Sequence, residues 1–294
     1  MRRSIFFRYA VGTLVLGLLP VLNAAAEDPS VPDTARRVTQ WMPASNFYPQ
    51  YIADPLRPQS ALTIMWMANS EIPETGASRF SLRLGGRWGI VRWHPEGEPD
   101  RGWQIDFEGG FFGHFDRDHS LDNIGWDGLF GFYLSWLPRE DLGFRTGLKH
   151  ESAHVGDEYA ERTGRTRIGY TRQEIVAGVN WRLTPKWQIY AEGGLGFDLD
   201  DSQDPGRVQA GIEYFGTRTF WKQRMTWYAA LDLQSFQELG WQTMSTAQVG
   251  FLLPTGRGTG RFRLAIEVGT GRSALGEFFF HDETYVGFGW YYDF

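Results

Sequence analysis

The 294-residue chain contains no cysteine. A disulfide framework, a thiolate metal site and a cysteine nucleophile are therefore excluded. Long hydrophobic runs are almost as scarce. The main one, residues 10–22, is shorter than the roughly 20 residues a helix needs to span a bilayer. Arg2, Arg3 and Arg8 lie at or before its start, and Ala24-Ala25-Ala26 follow it. That is the arrangement of a secretory signal peptide with a small-residue cleavage site. Residues 1–26 are expected to be removed, leaving a chain that starts near Glu27 and moving the net charge from −6 to −9. Such an acidic chain is not expected to bind nucleic acid.

Glycine (36 residues) and aromatics (16 %, with 13 tryptophans) are abundant. The lack of further apolar runs does not make the remainder a soluble domain. Barrel strands turn alternate residues to lipid and lumen, so their average is polar. Residues 27–58 stand apart because they carry Pro29, Pro32, Pro43, Pro49, Pro55 and Pro58. Proline donates no ladder hydrogen bond, so no sheet strand is expected there. The segment is read as a periplasmic N-terminal stretch or a lumen plug, with one helical turn at residues 36–41.

From Ser60 onward the pattern has period two. Leu82, Leu84, Trp88 and Ile90 alternate with Arg83 and Arg87, and Trp103, Ile105 and Phe107 with Gln104, Asp106 and Glu108. Trp187, Ile189 and Ala191 oppose Gln188, Tyr190 and Glu192. Phe262, Leu264, Ile266 and Val268 oppose Arg263 and Glu267. One apolar and one charged face on every strand predicts an all-β fold over residues 59–294, a transmembrane antiparallel up-and-down β-barrel of about twelve strands. A soluble sandwich also alternates. It would not place aromatics at the ends of the apolar sets, or charges of both signs on the opposite faces. The last strand carries Val286, Phe288, Trp290, Tyr292 and Phe294 on one face. This resembles the C-terminal signal read by the barrel-assembly machinery, which implies that machinery as a partner and the cell outer membrane as the location.

The inward set mixes signs: Arg83, Arg87, Asp106, Glu108, Asp127, Arg145, Lys149, Glu174, Glu192, Glu213, Asp232, Arg263 and Glu267. Twelve strands enclose a narrower lumen than the 16 to 18 of open porins. Both a salt-bridged closed scaffold and a narrow solute channel are compatible with this set.

One segment carries chemistry: Leu148-Lys149-His150-Glu151-Ser152-Ala153-His154-Val155-Gly156-Asp157-Glu158-Tyr159. His150 and Ser152 share the parity of Phe144 and Leu148, so they face the membrane, while Arg145, Lys149 and Glu151 face the lumen. A serine hydroxyl becomes a nucleophile when a neighbouring base takes its proton. A base can be oriented by an amide or an acid, and Gln173, expected across from Ser152, Asp157 and Glu158 are the candidates. Two alternatives stay open. His150, His154, Asp157 and Glu158 have spacing that suits metal ligands, or the histidines and Ser152 form a polar cluster at the interface. No cofactor is expected.

The His-x-Ser pair on an outward strand resembles the motif of outer-membrane phospholipase A and of the lipid A deacylases. That resemblance implies a serine esterase acting on phospholipid or lipid A, with Ser152 attacking an acyl ester and His150 as base. A second similarity spans most of the mature chain. Trp41-Met42-Pro43, Phe47, Ile52-Ala53-Asp54-Pro55 and residues 150–159 look like a bacterial family known only as a domain of unknown function, which implies an exported protein and no substrate. The expected partners are outer-membrane lipids and lipopolysaccharide, whose phosphates Arg162, Arg165 and Arg167 could meet.

Overall fold

The computed structural model describes residues 36–199, 203–221, 225–254 and 260–293. The proposed signal peptide and Phe294 lie outside the described residues. The chain divides into two units, Met1–Arg37 and Val38–Phe294, and the barrel belongs to the second.

The barrel wall is β2 (Ser60–Ser70), β3 (Ser78–Pro95), β4 (Gly102–Asp116), β5 (Asp122–Arg139), β6 (Leu142–Val155), β7 (Thr171–Arg182), β8 (Trp187–Phe197), β9 (Gly206–Phe220), β10 (Met225–Phe236), β11 (Thr243–Pro254), β12 (Arg261–Arg272) and β13 (Asp282–Asp293). Each strand pairs antiparallel with its sequence neighbour, and β13 pairs with β2 to close the sheet at twelve strands. Closure matters in lipid, because an open edge would leave backbone polar groups with no partner.

The period-two reading is borne out. Leu84, Leu195, Val249 and Ile266 are each more than half exposed, whereas Arg263 and Glu267 are wholly buried. Polar side chains fill the barrel and apolar ones coat it, the reverse of a water-soluble domain.

Residues 36–41 do not form a helical turn. They contain β1 (Arg37–Trp41), which lies beside β3, and the Met42 N–H donates to the Ile90 carbonyl at 2.9 Å. The reason is tertiary. β2 pairs with β3 only from Ser78 to Arg83, leaving the rest of that long edge of β3 open. An unpaired edge is a template for another strand, and β1 takes it.

After β1 the proline-rich chain runs inside the barrel. Phe47, Tyr48, Tyr51, Ile52, Ala53, Leu56 and Gln59 are buried. Arg87 donates to the Tyr48 carbonyl at 2.6 Å, the Ile52 N–H to Glu213 at 2.6 Å, and Gln234 to Asp54 at 2.8 Å. Arg57 pairs with Asp293 at 2.6 Å. The Tyr51 ring stacks on Tyr190 at 3.7 Å, and the Tyr190 hydroxyl donates to Asp232 at 2.6 Å. Prolines suit this path, since a plug needs no sheet ladder and a stiff chain loses less entropy on ordering.

Several of the inward-facing charges are paired. Arg87 holds Glu108, and Arg145 bridges Glu108 and Glu192. Arg207 bridges Glu192 at 2.7 Å and Glu174 at 2.9 Å, and Arg172 bridges Glu174 at 2.7 Å and Glu238 at 2.6 Å. At the end with the longer connections, Ile72, Ile124, Tyr159, Leu275 and Phe278 form an apolar cap.

Two expectations follow. Purified protein in a planar bilayer should show no steady conductance, because the plug, the ion pairs and the cap occupy the lumen; a persistent open level would overturn that. Gly211→Ala should destabilise the barrel by about 1–3 kcal/mol in urea unfolding. A Cβ there would overlap the Tyr190 ring and push it off Tyr51. An unchanged midpoint would show that the tyrosine stack yields freely.

Candidate functional site

The site is built on β5, β6 and β7, near the end with the long connections. Along β6, His150, Ser152 and His154 point outward and Lys149, Glu151 and Ala153 point inward, where Glu151 and Ala153 are buried. Alternation alone produces this. Lys149 and Glu151 pair inside at 3.3 Å.

The β5–β6 ladder sets Phe130 opposite His150, Gly128 opposite Ser152 and Trp126 opposite His154. The His150 ring tilts against Phe130 with centroids 4.7 Å apart, and His154 stacks on Trp126 at 4.0 Å. Each imidazole thus has an aromatic face on one side and the membrane-facing surface on the other. No ring lies directly across β5 from Ser152, because its partner there is a glycine.

The β6–β7 ladder sets Gln173 opposite His150 and Thr171 opposite Ser152. This corrects the expectation that Gln173 lies across from Ser152. The register, with Leu142 opposite Trp181, decides it. Directly opposed residues have Cβ atoms about 4.5–5.5 Å apart, within reach of a Gln side chain. His150 and Ser152 are two residues apart on one strand, a rise of about 6.6 Å. No hydrogen bond links His150, Ser152 and Gln173 to one another among the described residues.

Asp157 and Glu158 sit in the first turn of α1 (Asp157–Thr163) and are exposed, with no bond to His150 or Ser152. Among the described residues, no group of three or more His, Asp or Glu side chains could hold a metal ion. His150 and His154 lie on β6, whereas Asp157 and Glu158 open the helix that starts directly after Gly156.

Arg162, Arg165 and Arg167 serve the cap. Arg162 pairs with Asp122 at 2.8 Å, Arg165 donates to the Glu277 carbonyl at 2.7 Å, and Arg167 reaches the Glu277 carboxylate at 3.5 Å. That buried carboxylate also accepts the Ile168 and Gly169 N–H groups at 2.8 and 2.9 Å. Tyr170, enclosed beside Phe279, has its hydroxyl pushed well above its ordinary pKa by burial and stays neutral.

Sequence reasoning missed the residues that flank the pair. Gly128, Trp126 and Phe130 belong to another strand, and only the register aligns them with Ser152 and the histidines.

The barrel resembles solved outer-membrane proteins. A Salmonella typhi structure described as an outer membrane phospholipase dimer with bound calcium aligns with a TM-score of 0.55 at 12 % identity, covering 84 % of this chain and 95 % of that one. The outer membrane phospholipase A of Escherichia coli aligns at 0.55 with 10 % identity, over 79 % and 91 % of the two chains. LpxR from Salmonella typhimurium aligns at 0.41 with 10 % identity, over 80 % and 99 %. No curated protein matches the chain in sequence. Residues 25–294 match the model of a family described as "Protein of unknown function (DUF1207)".

Proposed function

We propose a function on the premise that the chain belongs to that DUF1207 family: it is an outer-membrane acyl hydrolase that cleaves ester-linked acyl chains of phospholipid or lipid A from the lipid-facing side of its barrel. The observation that carries this reading is the placement of His150 and Ser152 side by side on the outward face of β6, with the amide of Gln173 in register with the imidazole. For packing alone, a lipid-facing histidine is a poor choice. For chemistry on a lipid ester it is where a base has to be.

The chemistry runs in two halves. The Ser152 hydroxyl attacks the acyl carbonyl carbon as His150 takes its proton. The leaving alcohol departs with that proton, leaving an acyl-serine. Water then attacks the acyl-serine with the same imidazole as base, releasing the fatty acid and restoring Ser152. With substrate bound, the Gln173 side-chain oxygen, in register with the imidazole, would accept its other N–H and hold the ring toward the serine. The aromatic faces of Phe130 and Trp126 confine the two histidines. Insertion in the outer membrane through the alternating C-terminal strand goes with this reading.

The experiment is lipid analysis by thin-layer chromatography of outer-membrane preparations expressing the wild type or Ser152→Ala. Lysolipid or deacylated lipid A in the first and not the second supports the reading; identical lipid profiles remove it. A second reading, a closed scaffold or surface-recognition barrel, is favoured by the filled lumen and is what then remains.

A further inference from the structure

The glycines on the outward face of the β4–β5 wall are not equivalent. A Cβ at Gly109 would lie 3.2 Å from the Phe107 ring, and one at Gly113 would lie 3.1 Å from the Phe111 ring. In both places an aromatic ring folds over the glycine and fills the space. At Gly128 the nearest atoms are Ser152 Oγ at 3.7 Å and the edge of the Trp126 ring at 3.9 Å. These are ordinary contact distances, so a methyl would fit without moving anything.

The fold does not need a glycine there. The Gly128 backbone is not in the left-handed region. No backbone atom comes close, in contrast to Gly131, where a Cβ would stand 2.8 Å from the Leu148 carbonyl oxygen. The missing side chain leaves an open slot on the membrane side of the barrel. Its floor is the β5 backbone. Its far side is the Ser152 hydroxyl, on the residue paired with Gly128. Trp126 and Phe130 wall it along the strand, about 13 Å apart at their Cα atoms. On β4 the paired residue is Phe111. Its ring leans over Gly113 and toward Trp126, with centroids 5.5 Å apart, and so away from Gly128.

We propose that this slot is the acyl subsite of the hydrolase. It seats the first methylenes beyond the ester carbonyl, lying across β5 between Trp126 and Phe130 and ending at Ser152. The proposal rests on the acyl-hydrolase reading above and adds the substrate class: esters of straight-chain fatty acids with no substituent on the carbons next to the carbonyl. A branch there would meet the aromatic walls or the strand floor. Gly128 is thus a specificity-determining position.

The test compares wild type with Gly128→Leu, both purified, folded by heat-modified gel mobility, and placed in phosphatidylcholine vesicles. Three readouts are taken: labelling of Ser152 by a small fluorophosphonate, and kcat/KM for p-nitrophenyl acetate and for p-nitrophenyl palmitate. The expected result is that Gly128→Leu lowers the palmitate-to-acetate ratio of kcat/KM by about 100-fold, because palmitate has methylenes to seat and acetate has none, the scale of a transition-state contact worth a few kcal/mol. Gly128→Ala should fall between wild type and Gly128→Leu. A palmitate-to-acetate ratio unchanged by Gly128→Leu overturns the slot while leaving the hydrolase standing. Absence of labelling and of hydrolysis in the wild type overturns the hydrolase reading itself, and the slot with it.

Discussion

Ser152→Ala is expected to lower ester hydrolysis by at least about 10⁴-fold with the barrel fully folded, the largest effect of any single substitution on activity. The argument is positional. Ser152 has an intermediate exposure on the outward face, its partner across β5 is a glycine, and its side chain supports no packing that alanine would lose. Unfolding in urea should therefore be unchanged. His150→Ala should cost as much as the serine variant, because nucleophile and base act as a unit, and the double variant should be no worse than either single one. Gln173 acts through His150, so Gln173→Leu should lower kcat by about 10² while KM holds, and the pH profile of kcat should move with the imidazole's environment. Product formation by vesicle-reconstituted protein reads all of these. A Ser152→Ala variant that hydrolyses like wild type would leave the pair as a polar cluster at the interface.

Arg207→Met is expected to cost about 3–5 kcal/mol of barrel stability, the largest single loss in the lumen. Arg207 is buried and holds Glu174 and Glu192 together, linking β7, β8 and β9. Methionine fills similar space but leaves two buried carboxylates short of a partner, and removing one member of a buried ion pair costs far more than the intact pair contributes. Arg172 still bonds Glu174 and Arg145 still bonds Glu192, which keeps the loss from growing larger. Adding Glu174→Gln should recover part of it, since the glutamine carries no charge to strand. Urea unfolding in lipid vesicles, followed by tryptophan fluorescence, gives both numbers. A loss below about 1 kcal/mol for Arg207→Met would mean that water hydrates these carboxylates as well as the arginine does.

The family resemblance and the barrel type were legible because their signals are local. The run from Phe262 to Val268 already states which side of β12 is wet, and twelve such runs state the architecture. The outward placement of His150 and Ser152 was legible for the same reason, since parity along β6 needs no knowledge of any other strand. The assignment of partners was not. Gln173 belonged opposite His150 and not Ser152, a shift that is invisible within β7. Residues 36–41 looked helical in isolation and became β1 because a distant stretch of β3 offered an unpaired edge.

What the amino-acid sequence determined by itself is therefore sidedness: a closed antiparallel sheet with an apolar coat and a charged interior, and a histidine and a serine on the coat. The tertiary structure alone decided who meets whom. It sent the proline-rich segment through the lumen, joined Arg207 to carboxylates on two other strands, and set Gly128 beside Ser152. The division has one physical cause. Alternation is a property of the covalent chain at a repeat of two residues, whereas register, plugging and ion pairing are fixed by contacts between residues far apart in the chain, through the closure of the whole sheet.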